Sequence, residues 1–258
     1  MINILLSGAC GRMGHAVADF VHGRDDCKIL CGVDVAGAQL PGFPVYGSFE
    51  AVPADARPDV IIDFSNSAAL GGLAAFAAAR GIPAVLATTG YNDADLETIK
   101  ALSGKTAVFR SANMSIGICL LKKLARESAL FLGEDFDIEI LEKHHNRKLD
   151  APSGTALALA DAINSGREDG EKFEYVYERQ SRRQPRSRKE IGISAIRGGN
   201  IVGEHDVIFA GENEVITLSH SAMSRSVFAQ GAVKAALYIA GRPAGMYDMD
   251  MLAEDILR

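Results

Sequence analysis

The run "INILLS" (residues 2–7) is almost wholly apolar and stops at Gly8. A short apolar run closed by glycine reads as a strand covered on both faces, since such a strand has no side for polar residues. The pattern returns in "KILCGV" (28–33), "DVIIDFS" (59–65), "IPAVLAT" (82–88) and "TAVFRS" (106–111). Helical spacing fills the gaps, over 11–22, over 66–80 with Ser65 or Asn66 as its cap, and over 93–103. Strands and helices alternating at this interval predict an α/β unit, a doubly wound parallel sheet.

After Asn113 the pattern changes. Residues 115–132 read as one long helix. "FDIEILEK" (136–143) alternates, with Phe136, Ile138 and Ile140 on one side and Asp137 and Glu139 on the other. That is a strand with one covered face. A helix follows over 153–164, then strands over 190–196, 200–209 and 214–220, with turns at Gly198-Gly199 and Gly211-Glu212-Asn213. This half is expected to be a smaller α+β domain, an open mixed or antiparallel sheet with helices on one face. The last helix, about 226–240, and the tail return to the first domain. The expected division is therefore 1–114 with 226–258, and 115–225. There is no internal repeat.

Composition narrows the function. The chain has 258 residues, 48% hydrophobic and 23% charged, with a formal net charge of -6. That balance gives no general attraction to nucleic acid or to anionic membranes. No apolar run is long enough to span a bilayer. The start "MINILLSGACG" lacks the basic region and cleavage site of a signal peptide, so a cytoplasmic protein is expected. Cys10, Cys27, Cys31 and Cys119 form no CxxC pair and suit neither a zinc site nor a disulfide framework. No metal is expected. "RQSRRQPRSRK" (179–189) carries six basic residues in eleven. It reads as a mobile, solvated surface loop, with a rim for an anionic ligand as the alternative; no aromatic residues accompany it for nucleic-acid stacking.

Two stretches carry candidate chemistry. "GACGRMG" (Gly8, Ala9, Cys10, Gly11, Arg12, Met13, Gly14) follows the first strand and opens the first helix. Glycines there let backbone approach a pyrophosphate, and the helix start supplies N–H donors. The spacing is GxxGxxG, a weak signal alone. Asp34 strengthens it: it ends the second strand 20 residues after Gly14, where a carboxylate accepts from a ribose 2′-hydroxyl. That carboxylate repels a 2′-phosphate, and Val35 beside it cannot grip one. NADH is therefore the expected cofactor; Arg12 leaves NADPH open. "ATTG", with Ala87, Thr88 and Thr89, and "SANMS", with Ser111, Ala112, Asn113 and Met114, follow the fourth and fifth strands. Loops at the carboxyl ends of parallel strands are where such sheets bind ligands.

The second stretch is "EKHHNRKLDAPSGTA" (142–156). His144 and His145 fall on opposite sides of an extended chain, and Lys148 follows four residues after His144. Ser153, or the turn before it, caps a helix whose first N–H groups, around Gly154 and Thr155, form an anion site. Cations, proton donors and an anion cradle in one segment suit a small dicarboxylate.

"GACGRMG", "ATTG", "SANMSIG", "HHNRKLDAPSGTA" and "VGEH" occur here in the order seen in the dihydrodipicolinate reductase family, which the chain resembles over essentially its whole length. The histidine–lysine block is far more specific than the glycine loop. The resemblance implies a Rossmann-like first domain, a substrate and oligomerisation domain, and a homotetramer. It also implies hydride transfer from NAD(P)H to a cyclic imine dicarboxylate, with loss of water. Carried over by position, Gly8 to Met13 would meet the pyrophosphate and Asp34 the ribose. Ala87, Thr88, Thr89 and Ser111 to Met114 would line the nicotinamide. His144 and Lys148 would be the acid–base pair, and His145, Ser153, Gly154 and Thr155 would contact the substrate. With the two sites on different domains, closure between them is expected. Two departures stand out. Asn146 occupies a position that is usually arginine in the family, with Arg147 next, and Val35 replaces a frequent basic residue after the ribose acid. Two rival readings remain, another nicotinamide oxidoreductase of similar architecture and a non-catalytic NAD-responsive regulator. Neither accounts for the histidine–lysine block.

Overall fold

The computed structural model of the chain describes residues 1–37, 40–167 and 172–256. Its elements run in this order: β1 (Ile2–Ser7), α1 (Arg12–Val21), β2 (Cys27–Val33), β3 (Val45–Tyr46), β4 (Val60–Asp63), α2 (Leu70–Arg80), β5 (Ala84–Leu86), α3 (Asp93–Ser103), β6 (Ala107–Arg110), α4 (Ile116–Leu132), β7 (Asp137–His144), α5 (Gly154–Ser165), β8 (Glu174–Val176), β9 (Glu190–Arg197), β10 (Gly203–Ala210), β11 (Val215–Ala222), α6 (Ser226–Ile239), β12 (Gly245–Tyr247) and α7 (Met249–Ile256). They fall into two compact units, Met1–Ile116 with Arg225–Arg258, and Gly117–Ser224.

In the first unit seven strands form one sheet in the order β12-β6-β5-β4-β1-β2-β3. Every neighbouring pair is parallel. The chain winds outward from β1 in both directions, so the order reverses beside β1, where such sheets open a ligand crevice. All residues of β4 and β5 are buried, which is why their sequences show no alternation. Leu5, Ile61, Leu73, Leu86, Ile99 and Val108 fill the core on one side. The helix expected over 66–80 begins differently. Asn66 accepts from the Ala68 N–H at 3.0 Å and caps a 3-10 turn, Ser67–Ala69, before α2 starts at Leu70. At α3, Asn92 and Asp95 cap each other's backbone N–H groups reciprocally, a device that settles the helix start. The sequence pattern indicates none of β3, β8, β12 and α7. β3 spans two residues and β8 and β12 three each, too few to show a period.

α6 packs against α1 and against β4, β5 and β6. Its close approach depends on Gly231, where a Cβ would lie 1.7 Å from the Met114 carbonyl oxygen. Backbone cannot yield as a flexible side chain does, so Gly231→Ala must push α6 away or deform the loop ending β6. Overpacking of this kind costs about 2 kcal/mol. The expected result is a lower denaturation midpoint with an unchanged denaturant slope. A variant as stable as the parent would show that the contact is relaxed in solution.

The second unit holds a five-stranded mixed sheet, β11-β10-β7-β9-β8. β11, β10 and β7 are antiparallel neighbours, while β7, β9 and β8 run parallel. α4 and α5 cover one face, with Leu121, Ala125, Leu159 and Ile163 packed on Ile138, Ile140, Val207 and Phe209. The alternation in β7 continues past the apolar positions. Glu142 and His144 are buried in phase with Ile138 and Ile140. One covered face therefore changes from apolar to ionisable toward the carboxyl end of β7.

The basic segment 179–189 does not lie free. Arg179 donates to Glu190 and, at 2.6 Å, to Glu139. Arg186 donates to Glu139 at 2.9 Å and to the Glu190 carbonyl at 2.6 Å. Two of its six cations are thus pinned to carboxylates of β7 and β9. No helix among the described residues is long and apolar enough to cross a membrane.

Candidate active site

β7 ends at His144, and the chain then turns through residues 145–153 before α5 begins. The Gly198 N–H donates to the His144 carbonyl at 2.9 Å and the Asn146 N–H to the Gly199 carbonyl at 3.3 Å. The β9–β10 turn thereby holds the block. Arg147 reaches Asn200 at 3.0 Å.

At the centre is Glu142, with no exposed surface. One carboxylate oxygen accepts from the Ser153 N–H at 2.9 Å and from Arg197 at 2.8 Å. The other stands 2.6 Å from His144 Nδ1 and 2.8 Å from Arg197. Burial pushes this carboxyl up, yet the bonds from Arg197, His144 and Ser153 outweigh it and hold the group below its ordinary range. Ser153 caps α5 with its hydroxyl, which accepts from the Ala156 N–H at 3.2 Å. The same hydroxyl lies 3.2 Å from His205 Nε2. The rings of His144 and His205 meet edge to face, 5.2 Å between centroids.

Lys148 is half-buried and pairs with Asp150 at 2.9 Å. The Lys148 ammonium holds the Asp150 carboxyl below the usual carboxylate range. At the start of α5 Gly154 is exposed, with open space where a side chain would stand, and Thr155 is half-buried. His144, Ser153 and the start of α5 are therefore joined through Glu142, and Lys148 is attached to the same turn through Asp150. His145 is half-buried beside them. Glu142, Arg197 and His205 were not picked from the sequence. The phase of Glu142 with Ile140 was the available signal; Arg197 and His205 come from strands more than fifty residues away.

His205 makes a test of this electrostatics. Burial lowers its imidazole to about 4, and the nearby His144, His220 and Lys148 add to this while Glu142 opposes it. Its neutral form is the folded form. Stability from this group is complete above pH 6.5 and is lost as pH falls toward 4, a loss of about 3 kcal/mol. Denaturant titrations at a series of pH values should show that decline in the parent protein and a flatter profile in His205→Gln. Identical profiles would place the titration on another group.

The first unit carries the other candidate residues. Gly8 has φ +77°, and a Cβ there would lie 2.7 Å from the Phe64 carbonyl oxygen. Only glycine allows the loop to fold this closely. Gly11 stands at the N-cap of α1, which has no side-chain cap and no acidic residue in its first turn. Its leading N–H groups thus offer an uncontested anion cradle, which fits a dinucleotide pyrophosphate. The Cys10 N–H donates to Asp34 at 2.9 Å, and Asp34's other oxygen accepts from the Ala36 N–H at 2.9 Å. Asp34 therefore ties the glycine loop to the end of β2 and keeps lone pairs for a ribose.

In the loops after β5 and β6, several side chains are engaged within the protein. Thr88 is buried and its hydroxyl donates to Asp63 at 2.7 Å, whereas Thr89 is exposed and Ala87 buried. Ser111 donates to the Asn113 carbonyl at 2.7 Å, and Asn113 accepts from the Ser115 N–H at 2.9 Å. Ala112 is exposed and Met114 buried. Asp63, 2% exposed at the end of β4, also accepts from the Ser65 hydroxyl at 2.5 Å. It anchors the Thr88 loop and was a further residue missed in the sequence.

Residues 2–114 match the family described as dihydrodipicolinate reductase, N-terminus, and residues 117–252 match dihydrodipicolinate reductase, C-terminus. The chain is 50% identical over 254 residues to the 4-hydroxy-tetrahydrodipicolinate reductase of Caldanaerobacter subterraneus subsp. tengcongensis, covering 98% of this chain and 99% of that one. It is 45% identical over 252 residues to the enzyme of the same name from Clostridium tetani, covering 98% and 97%. Among solved structures, the dipicolinate-bound dihydrodipicolinate reductase of Paenisporosarcina sp. TG-14 superposes with a TM-score of 0.78 at 24% identity, over 96% of this chain and 97% of that one; at that identity the likeness is one of fold. Family matches that run through both units, and relatives that align from end to end, show that the chain belongs to the dihydrodipicolinate reductase family.

Proposed function

We propose that this chain reduces 4-hydroxy-tetrahydrodipicolinate, a cyclic imine dicarboxylate, to tetrahydrodipicolinate, with loss of water, in the diaminopimelate route to lysine. The family is NAD(P)H-dependent, and the relatives named above carry this activity in their names. The observation that supports the reading best is the assembly on one turn of an imidazole, an ammonium and a helix start: His144, Lys148 and the Ser153–Thr155 segment.

Each residue has a definite task in this reading. The bound nicotinamide supplies the hydride. Gly8 to Met13 hold the pyrophosphate, with the first turn of α1 supplying donors. Asp34 accepts from the adenosine ribose. Ala87, Thr88 and Thr89, with Ser111 to Met114, enclose the nicotinamide side, chiefly through backbone where hydroxyls are already engaged. Lys148 attracts a substrate carboxylate, and Lys148 and His144 manage the proton that the reduced ring must gain. His145, Ser153, Gly154 and Thr155 hold the dicarboxylate at the start of α5, fixing the ring for reaction.

NADH is the preferred cofactor, because Asp34 disfavours a 2′-phosphate and Val35, 92% exposed, offers nothing to hold one. The first unit is the dinucleotide domain, the second the substrate and oligomerisation domain, and the assembly is a cytoplasmic homotetramer; family resemblance supports these last points. The test is NADH and NADPH oxidation with substrate generated from pyruvate and aspartate semialdehyde by the preceding synthase. Oxidation that needs both precursors is the expected result. A folded protein that binds NADH but oxidises none would overturn the reading.

A further inference from the structure

We infer that Glu142 is a positioning residue of this reaction: it holds His144 with the proton on Nδ1, leaves Nε2 as the nitrogen that exchanges protons, and ties that imidazole to the start of α5. The inference rests on the reading of His144 as one of the acid–base pair.

The argument begins with donors and acceptors. An ionised carboxylate can only accept hydrogen bonds. Each oxygen of Glu142 meets two groups. Arg197 reaches both oxygens at 2.8 Å, the Ser153 N–H reaches one at 2.9 Å, and His144 Nδ1 lies 2.6 Å from the other. Arginine and backbone amide have no other choice than to donate. With the carboxylate thus kept anionic, His144 Nδ1 must donate as well, and the tautomer is fixed. Nε2 is then the atom left for chemistry. It lies on the side of Gly203, where an added Cβ would come within 3.1 Å of it.

The same carboxylate also sets where that nitrogen stands. Through the Ser153 N–H it grips the N-cap of α5, and Arg197 extends the grip by donating to the Asp150 carbonyl at 2.5 Å. One buried group therefore couples the proton-handling imidazole, the turn bearing Lys148 and the helix start assigned to a substrate carboxylate. A simple buried ion pair with Arg197 would need none of the bonds to His144 and Ser153. Such a pair can commonly be replaced by neutral groups without loss of stability, and that separates positioning from packing.

The experiment uses the intact protein with 15N-labelled histidine. In the parent at a pH where His144 is neutral, NMR should show His144 protonated at Nδ1, and Nε2 as the unprotonated nitrogen. An Nε2–H tautomer would overturn the inference without any variant. Glu142→Gln can offer its amide N–H to Nδ1 and so reverse the tautomer. We expect kcat to fall about 10²-fold, with NADH affinity within about twofold of the parent because Asp34 and the glycine loop are untouched. In Glu142→Gln with Arg197→Met both charges are gone, so the unfolding midpoint should recover while kcat stays low. Recovery of turnover together with stability would mean that Glu142 only balances Arg197, and would sink the proposal. Should the double variant fail to fold, the tautomer in the parent decides. A parent that shows the Nδ1–H tautomer yet reduces no substrate would overturn the functional reading and, with it, any role for Glu142 in turnover.

Discussion

Lys148→Ala lowers kcat/KM about 10³-fold and leaves NADH affinity nearly unchanged, if the lysine acts as assigned. The size follows from losing two functions at once, a positioned proton donor and a cation beside the substrate carboxylate. Stability should hardly move. The pair with Asp150 leaves that carboxylate side chain 58% exposed, and pairs so open to water contribute about 1 kcal/mol or less. The variant therefore separates chemistry from folding. Steady-state kinetics with enzymatically generated substrate give kcat/KM, and fluorescence titration gives NADH affinity. A matching loss of NADH binding would mean that Lys148 belongs to the cofactor site. A kcat/KM within a few-fold of the parent would remove the lysine from the mechanism and leave His144 to handle the proton alone.

The contrast between Lys148 and Glu142 shows how much of the site was legible in the sequence. Lys148, His144 and Ser153 lie in one short block whose residue types announce cations and a helix start. Glu142 heads the same block, but its part depends on Arg197, fifty-five residues on. Nothing in linear spacing pairs those two. The pairing arises because β9 runs parallel to β7 with His144 opposite Arg197, and a parallel neighbour must be reached by a crossover. His205 is similar: β10 brings it opposite Glu142, and only then does it meet Ser153. The fold was more legible than the site. Strands buried on both faces and the alternating β7 write their surroundings directly into residue order. The short edge strands β3, β8 and β12 add to existing sheets and depend on a neighbour for their shape, not on their own pattern. The basic segment is the exposed loop its composition indicates, but its anchoring could not be read for a related reason. Its charge was visible, but Glu139 and Glu190, which hold Arg179 and Arg186, are partners supplied by the sheet.

Cofactor choice offers the second large effect. In the proposed reading Asp34 meets the ribose, and it also holds the Cys10 N–H at 2.9 Å, so truncating it to alanine would confuse selectivity with a loosened loop. Asp34→Asn keeps an oxygen that can accept one N–H and removes the charge that opposes a 2′-phosphate. Val35→Arg adds a guanidinium at a position that is 92% exposed, where the side chain has room to meet that phosphate. Relief of like-charge repulsion is worth a few kcal/mol and a charge-assisted bond to phosphate about 2 kcal/mol. Together they should move the NADH-to-NADPH ratio of kcat/KM about 10³-fold toward NADPH. The ratio itself is the readout, because any general weakening of the glycine loop affects both cofactors alike and cancels. If the double variant keeps the parent's ratio, Asp34 does not face the ribose, and its part is confined to tying the glycine loop to β2. If the ratio shifts while KM for the dicarboxylate stays fixed, cofactor selection belongs to Asp34 and Val35, and the substrate site is independent of it.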